Sequence, residues 1–335
     1  MRHWKPVLGA LVASGLIAAA AFAGYVRDQL RPLDLQGAEQ TFAIQPGAGL
    51  SQIAHRLESE RLIRNARAFV GLARYHDLAT SLHAGEYLVS PSWSASTILD
   101  HLVAGRVRTY PVVIPEGLRA SEIAARIEHA GLAPADAFLE AVHDAALASQ
   151  LGLPADDLEG YLFPDTYRLP KGLSGRDVAR LMVEQFERVW HEIEPLAGDS
   201  ELDRHEIVTL ASIVEKETGA AEERPVIAAV FLNRLKRGMR LETDPTVIFG
   251  IPAFDGNLRR AHLDDASNPY NTYRIRGLPP GPIASPGRDA LHAVVKPADS
   301  NYLFFVSRGD GTHHFSVLYA DHDRAVDRYQ RRRRR

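Results

Sequence analysis

The sequence predicts a mixed α+β protein that carries a single membrane-spanning helix at its N-terminus. Three observations indicate this architecture: an uncharged apolar run near the N-terminus, a duplicated strand–turn–helix segment, and a C-terminal half in which helical patterns flank a long loop and a hairpin. The 335 residues, 24% of them charged and 45% hydrophobic, suit about two globular domains with ample core.

The membrane-spanning prediction rests on residues 7–26, VLGALVASGLIAAAAFAGYV, which contain no charge. About 20 apolar residues at a rise of 1.5 Å per residue span a bilayer core. Residues 21–23, Ala-Phe-Ala, resemble a signal-peptidase site, but the run exceeds the usual apolar region of about 7–15 residues, which favours an uncleaved anchor. The positive charges within residues 1–6 should keep that segment cytoplasmic and export everything after Val26.

Charge and cysteine content exclude several classes of function. The net charge of −3 and the pI near 6.5 provide no basic field for nucleic acid. The basic tail, residues 326–335, is expected to be a solvated, disordered segment, with contact to anionic lipid or wall polymer as the alternative. The absence of Cys excludes thiolate catalysis and disulfides.

No metal or cofactor site is predicted. His205-Glu206 lacks the second His that a zinc-binding helix needs four residues on, where the chain has Thr209. His313 and His314 are neighbours in a predicted strand, so their side chains should point to opposite faces. Proline-rich GLPPGPIASPG lacks both the Lys-Ser/Thr and the backbone donors of a phosphate loop.

After a polar stalk at residues 27–39, the sequence repeats itself. IQPGAGLSQIAHRLESERL (44–62) aligns without a gap to IPEGLRASEIAARIEHAGL (114–132). Each copy reads as a short strand, a Pro/Gly turn and a helix that Ser51 or Ser121 could cap. Residues 40–150 are therefore predicted to form a small β-α repeat region, which binds sugar or serves as a spacer.

Residues 155–325 are predicted to form the second domain. Its expected elements are an aromatic loop, three helices, a long loop and a hairpin with Asp310-Gly311 at its turn, at 159–170, 175–194, 203–219, 222–236, 243–287 and 302–317 respectively. A structureless loop of the length of 243–287 is usually functional, so we expect substrate to lie there.

Helix 203–219 carries a carboxylate on its apolar face. Glu217 lies seven, four and three residues after Leu210, Ile213 and Val214, whereas Glu215 occupies a flank. Desolvation and the negative end of the helix dipole should both raise the pKa of Glu217, as a general acid requires. The alternative is a Glu whose stem packs while its carboxylate reaches an Arg or solvent.

The next helix places an amide on its apolar face. Asn233 lies seven, four and three residues after Val226, Ala229 and Val230. The amide could face Glu217 and hold its orientation, or it could be satisfied by loop backbone.

Several long sequence segments resemble those of a known protein family. EGYLFPDTY, ASIVEKET, FLNRLKRGMRLETDPTVIFG, NPYNTYRIRGLPPGPIASPG and HHFS occur in this order. With the N-terminal anchor, they make the chain resemble the endolytic murein transglycosylases, the MltG or YceG-like family, over nearly its whole length.

The resemblance implies a LysM-like repeat region, a transglycosylase catalytic domain in the periplasm of a bacterium, and an inner-membrane anchor. It implies that Glu217, the second Glu of the EKET motif, is catalytic and that the substrate is nascent peptidoglycan, with links to wall-synthesis and division proteins. A lytic transglycosylase works with one acid and needs no cofactor.

The expected reaction is cleavage of the bond between N-acetylmuramic acid and N-acetylglucosamine. Glu217 would protonate the leaving oxygen, and attack by the sugar's own 6-hydroxyl would give a 1,6-anhydro end. Residues expected to contact substrate are Tyr161, Asp165, Tyr167, Asn233, Thr243, Asp244, Asn271, Tyr273 and Ser285.

Two alternatives remain open at this stage. The first is a hydrolase of the same polymer, with Asp244 or Glu215 as the second carboxylate and water as the acceptor. The second is a wall-binding scaffold without enzymatic activity, which leaves the placement of Glu217 and Asn233 without a reason.

Overall fold

The computed structural model describes residues 4–198 and 200–331. Within that part, helix α1 (Trp4–Gln29) is the one helix long and apolar enough to cross a membrane, with a mean hydropathy of 1.3 over Leu11–Gln29. Its side chains from Leu11 onward are mostly exposed, with Leu16 at 67% and Ile17 at 70%. This exposure is consistent with the expected membrane anchor.

Two compact units make up the chain, residues 1–110 with 170–172 and residues 111–169 with 173–335. The boundary falls inside the stretch 40–150 that the sequence pattern groups as one repeat region. The first sequence copy belongs to the first unit and the second copy to the second unit, because the second copy contacts the loops around the buried helices of the C-terminal half.

The first unit packs a hairpin against three helices. After α1 it contains β1 (Gln40–Ile44), α2 (Leu50–Ser59), α3 (Ala66–Tyr75), β2 (Gly85–Val89) and α4 (Ala95–Val103). Strands β1 and β2 are antiparallel, with Phe42 opposite Tyr87. Both aromatic rings are fully buried together with Leu57 and Phe69, which places the core between hairpin and helices.

The second unit, with the strand that leads into it, is largely helical. Its elements are β3 (Thr109–Val113), α5 (Ala120–His129), α6 (Ala135–Val142), α7 (Ala145–Gln150), β4 (Thr166–Pro170), α8 (Gly175–Ile193), α9 (Arg204–Glu217), α10 (Arg224–Lys236), α11 (Asp244–Phe249), α12 (Arg260–Asp264), α13 (Arg288–Val295), β5 (Phe304–Ser307), β6 (His313–Ser316) and α14 (Tyr319–Val326). Helix α9 packs against α10, α11 and α13, so it forms the centre of this unit.

Both sequence copies form the predicted strand, turn and helix. The matched glycines Gly47 and Gly117 have φ values of +79° and +75°, a left-handed conformation that glycine adopts at no steric cost. The prediction that Ser51 and Ser121 cap these helices is wrong. The N-caps are Gly49 and Arg119, so Ser51 and Ser121 lie in the first turn of each helix instead.

The long segment 243–287 differs from its prediction as a structureless loop. It contains the short helices α11 and α12, and its buried polar side chains include Asn271 and Thr272. Pro245, at the second position of α11, favours a helix start. The many turn-forming residues of the segment predicted a loop instead.

The C-terminal hairpin confirms its prediction. Strands β5 and β6 are antiparallel with Phe305 opposite Phe315, and the Asp310 carboxylate accepts hydrogen bonds from the backbone N–H and hydroxyl of Thr312 at the turn. The predicted basic tail is helical as far as the structure describes it. Arg331 pairs with Asp327 there at 2.6 Å, and the remaining arginines lie outside the described residues.

Candidate active site

Helix α9 delivers Glu217 to the site. The helix begins with a capping box, in which the Asp203 carboxylate accepts the N–H of Glu206 and the Glu206 carboxylate accepts that of Asp203, both at 2.9 Å. Along its length Leu210, Ile213 and Val214 are fully buried. Each such side chain contributes about 1.5–3 kcal/mol of burial, so the helix is firmly anchored up to its last turn.

The helix ends differently from its prediction. Thr218 is the C-cap, with extended backbone, and its hydroxyl donates to the carbonyl of Val214 at 2.5 Å. Gly219 follows but does not adopt the left-handed conformation of a terminating glycine. Its hydrogen instead allows close approach to the hairpin, because a Cβ there would lie 2.8 Å from the carbonyl oxygen of Gly311.

Glu217 is half-buried at this helix end, and its carboxyl receives a hydrogen bond from the Thr243 hydroxyl. Burial raises the pKa of Glu217, and the negative charge of Asp244 raises it further. The Thr243 hydrogen bond and the nearby His313 act in the opposite direction, but burial dominates. Glu217 therefore holds its proton to higher pH than an ordinary Glu, as a general acid must.

Glu217 opens onto a polar cavity of about 500 Å³. The side chains that line the cavity come from α9, α10, the loop between α10 and α11, α11, the segment after α12, the C-terminal hairpin and α14. They include Arg234, Leu241, Glu242, Asp244, Tyr273, Phe305, Ser307, His313 and His322. Two of the residues expected to contact substrate, Asp244 and Tyr273, are therefore brought to Glu217. A cavity of this size is within the range that small ligands and single sugar units occupy.

Asp244 and Tyr273 are linked to each other. The Tyr273 hydroxyl donates to Asp244 Oδ1 at 2.7 Å, and burial raises the pKa of this tyrosine, so the phenol keeps its proton. The exposed Asp244 carboxylate thus presents a fixed negative charge to the cavity.

A buried threonine network positions Thr243. The Thr243 N–H donates to the Thr272 hydroxyl at 3.0 Å, and the Thr246 hydroxyl donates to the Thr243 carbonyl at 2.8 Å. The hydroxyls of Thr246 and Thr272 also bond each other at 2.8 Å. Because all three threonines are buried, the hydroxyl that faces Glu217 has a defined position.

Several residues expected at the cleft lie elsewhere and do not line this cavity in the described part of the chain. The Asn233 amide donates to the carbonyls of Ser300 and Tyr302 at 2.8 and 3.1 Å. The amide is therefore satisfied by loop backbone and does not face Glu217. The Asn271 amide donates to three carbonyls at the C-terminal end of α12, the shortest bond being 2.6 Å to Asp265. Both amides fix loops.

The two tyrosines of the aromatic loop also lie away from the Glu217 cavity. Tyr161 is fully buried with its hydroxyl bonded to His205 Nδ1 at 2.8 Å, and the Tyr167 hydroxyl donates to the Phe163 carbonyl at 2.5 Å. Both tyrosines use their hydroxyls within the fold, so neither presents a polar tip to a sugar.

Asp165 and Ser285, which were also expected to contact substrate, do not line the Glu217 cavity either. Exposed Asp165 accepts a bond from Gln185 at 2.8 Å. The fully buried Ser285 pairs through its backbone with Gly117 and Leu118, at 2.8 Å each.

Glu215 makes contacts that support the fold. Its carboxylate accepts from Arg224 at 3.2 Å and from the Gly287 N–H at 3.1 Å, and its side chain is 7% exposed. It does not line the Glu217 cavity. Its ion pair with Arg224 ties the end of α9 to the start of α10.

The sequence reasoning missed two groups beside Glu217. His313 lines the cavity, a position that strand alternation of the two adjacent histidines does not indicate. Arg234 is buried and donates to the carbonyls of Leu303 and Leu241 at 2.7 and 2.9 Å, which fixes the strand and loop around the site. Its position one residue after Asn233 gave no signal of this role. Among the described residues, no group of three or more His, Asp or Glu could hold a metal ion.

A half-buried carboxyl, hydrogen-bonded and facing a polar cavity at a helix end, is the kind of site that carries out acid catalysis. The chain is a member of the YceG-like family, whose model matches residues 42–328.

Relatives with assigned names support this membership. An endolytic murein transglycosylase of Bacillus subtilis (strain 168) is 28% identical over 302 residues, covering 85% of this chain and 83% of that protein. A protein of the same name from Streptococcus pneumoniae (strain D39) is 30% identical and covers 96% of this chain. The match spans 64% of the pneumococcal protein's length.

A solved structure agrees with the fold. The 2.6 Å crystal structure of a yceG-like protein from Listeria monocytogenes matches with a TM-score of 0.59 and 29% identity. The match covers 87% of this chain and 100% of that one.

Proposed function

We propose that this protein is an endolytic peptidoglycan lytic transglycosylase that cleaves nascent glycan strands internally and so limits their length. The observation that carries the proposal is the half-buried Glu217, whose carboxyl has a raised pKa and faces a polar cavity. The names of the Bacillus and Streptococcus relatives agree with it.

The proposed reaction uses Glu217 twice. Its carboxyl gives a proton to the oxygen between N-acetylmuramic acid and N-acetylglucosamine, and the sugar develops oxocarbenium character as this bond breaks. The resulting carboxylate then takes the proton of the muramic acid 6-hydroxyl while that oxygen bonds to the anomeric carbon. The product is a 1,6-anhydro end, no water is consumed, and Glu217 is again protonated.

The cavity supports this cycle. The Thr243 hydroxyl donates to Glu217 Oε1 and thereby stabilises the carboxylate after it has lost its proton. Asp244, held by Tyr273, places negative charge where positive charge develops on the sugar. We further propose that Thr243, Asp244 and Tyr273 contact the substrate.

The location follows from the same proposal. Helix α1 would anchor the chain in the bacterial inner membrane and leave the catalytic unit in the periplasm, near wall-synthesis and division proteins. The LysM-like region would bind or approach the glycan.

A digest of purified sacculi tests the proposal. Wild-type protein should release fragments with anhydro ends, identified by mass spectrometry. Glu217→Gln should lower the rate by about 10²–10⁴-fold, the usual cost of removing a general acid, with an unchanged circular dichroism spectrum. Glu215→Gln is the matched control on the same helix and should retain cleavage.

Other outcomes identify the alternatives. Reducing ends in place of anhydro ends would indicate a hydrolase, for which Asp244, a carboxylate that also lines the Glu217 cavity, would be the second carboxylate. Sacculi that are bound but left intact by wild-type protein would indicate a scaffold. Near-normal cleavage by folded Glu217→Gln would remove the assignment of the acid.

A further inference from the structure

A second acid–base pair lies beside Glu217 and has no place in the mechanism above. Glu223, in a single 3-10 turn between α9 and α10, accepts two hydrogen bonds from His313. Its Oε1 accepts the backbone N–H at 2.9 Å, and its Oε2 lies 2.7 Å from the ring nitrogen Nδ1. The side chains are 11% exposed for His313 and 17% exposed for Glu223, so the pair is largely removed from solvent.

The carboxylate determines which ring nitrogen carries the proton. An ionised carboxylate only accepts, so Nδ1 of His313 must donate to Glu223. In the neutral ring Nε2 is then an unprotonated acceptor. The ring also packs edge-on against Phe305, with centroids 5.4 Å apart and planes at 89°, which fixes its orientation.

Nε2 is the nitrogen left for a ligand. His313 lines the same cavity as Glu217, and within the described residues no hydrogen bond involves its Nε2. The other charged or titratable groups on that cavity are Arg234, Glu242, Asp244, Tyr273 and His322. Arg234 already donates to backbone carbonyls and Asp244 accepts from Tyr273, so His313 is a cavity group with a polar atom still unoccupied.

A role confined to folding does not account for this arrangement. The backbone N–H of His313 alone would connect the hairpin to the turn through Glu223, whatever side chain stood at position 313. Burying a carboxylate and an imidazole carries a desolvation cost that an apolar side chain would avoid. A role in folding therefore uses the backbone N–H and Nδ1 of His313 and leaves Nε2 without a partner among the described residues.

We propose that His313 binds the saccharide in the cavity through a hydrogen bond between Nε2 and a sugar hydroxyl, and that Glu223 positions its ring. This proposal rests on the proposed function and names a further contact in the same site. His313 thereby orients the sugar next to Glu217.

Affinity for a glycan fragment tests the contact without catalysis. The full-length, detergent-solubilised Glu217→Gln protein provides an uncleaving parent, and a purified peptidoglycan tetrasaccharide titrated by calorimetry is the probe. His313→Ala in this parent should weaken binding about 10-fold, as expected for one lost hydrogen bond with a group left unpaired. His314→Ala is the matched control from the same strand and should bind like the parent, because its ring contacts Tyr329 instead.

A double-mutant cycle separates positioning from folding. Glu223→Gln alone should weaken binding several-fold. Glu223→Gln added to His313→Ala should cause no further loss, because the glutamine oxygen can still accept the backbone N–H of residue 313 and the interaction that changes is the one with the ring. Glu222→Gln, the exposed neighbour, is the control for Glu223. Thermal unfolding of each variant identifies losses that come from misfolding.

The outcomes are distinct. Unchanged affinity in folded His313→Ala, or additive losses in the double variant, overturns the role of His313 and leaves the proposed function standing. If the Glu217→Gln parent itself binds no tetrasaccharide and wild type cleaves no sacculi, both proposals fall together.

Discussion

The carboxyl of Glu159 should make the stability of this protein depend on pH around neutrality. Glu159 is 7% exposed, and both its oxygens accept from the N–H of Ala120, the first residue of helix α5, at 3.2 and 3.1 Å. A helix N-terminus favours a negative charge. Burial outweighs that effect and raises the pKa of Glu159 to about 7.

The sign and size of the effect follow from this value. Between the ordinary value of 4.5 and about 7, the folded protein keeps a proton that the unfolded chain has lost. The free energy of unfolding should therefore fall as the pH rises through this window and remain lower above it. The interval corresponds to roughly 3 kcal/mol, at about 1.4 kcal/mol for each pKa unit.

Urea unfolding of wild type and Glu159→Gln from pH 4.5 to 8.5, followed by tryptophan fluorescence, measures this effect. The glutamine keeps an oxygen for Ala120 but cannot ionise, so the variant should approach wild-type stability at pH 4.5 and exceed it by up to about 3 kcal/mol at pH 8.5. Glu122→Gln, on the first turn of the same helix, should track wild type in its pH dependence. Parallel curves for wild type and Glu159→Gln would refute the reasoning.

Two further substitutions test the site and its support. Thr243→Val removes the hydrogen bond that lowers the pKa of Glu217, so the alkaline limb of the kcat/KM profile should move to higher pH while kcat falls about 10-fold; an unmoved limb would contradict this. Gly160→Ala would place a Cβ 2.3 Å from Pro282 at a φ of +82°, so its free energy of unfolding in urea should fall by more than about 2 kcal/mol. Gly152→Ala, with φ +71° but open space, should lose only about 1 kcal/mol, and equal losses would rule out the steric cause.

Local periodicity was sufficient for the helix that carries Glu217. Leu210, Ile213 and Val214 recur on one face, Asp203 supplies a cap with a reciprocal partner, and each feature depends only on residues within a few turns. The position of Glu217 on the buried face could therefore be read from the sequence. Its partner Thr243 could be assigned only to a functional loop, since contact across 26 residues depends on tertiary packing.

Polar residues on loops were the least predictable part. Asn271 and Tyr161 were expected at the cleft because they lie in polar or aromatic loops, yet both satisfy hydrogen bonds inside the fold. A loop that encloses a cavity needs its own backbone groups bonded before any side chain can face a ligand. Sequence composition identifies such a loop but does not separate its supporting side chains from its binding ones.

His313 illustrates the converse case. Strand alternation correctly separated it from His314, and that separation argued against a metal site, but it also divided the two histidines between different surroundings. His314 contacts Tyr329, while His313 meets Glu223 from 90 residues earlier in the chain and faces the Glu217 cavity. A strand's alternation therefore predicts which neighbours differ in environment, and only the chain's long-range packing determines which one of them reaches the site.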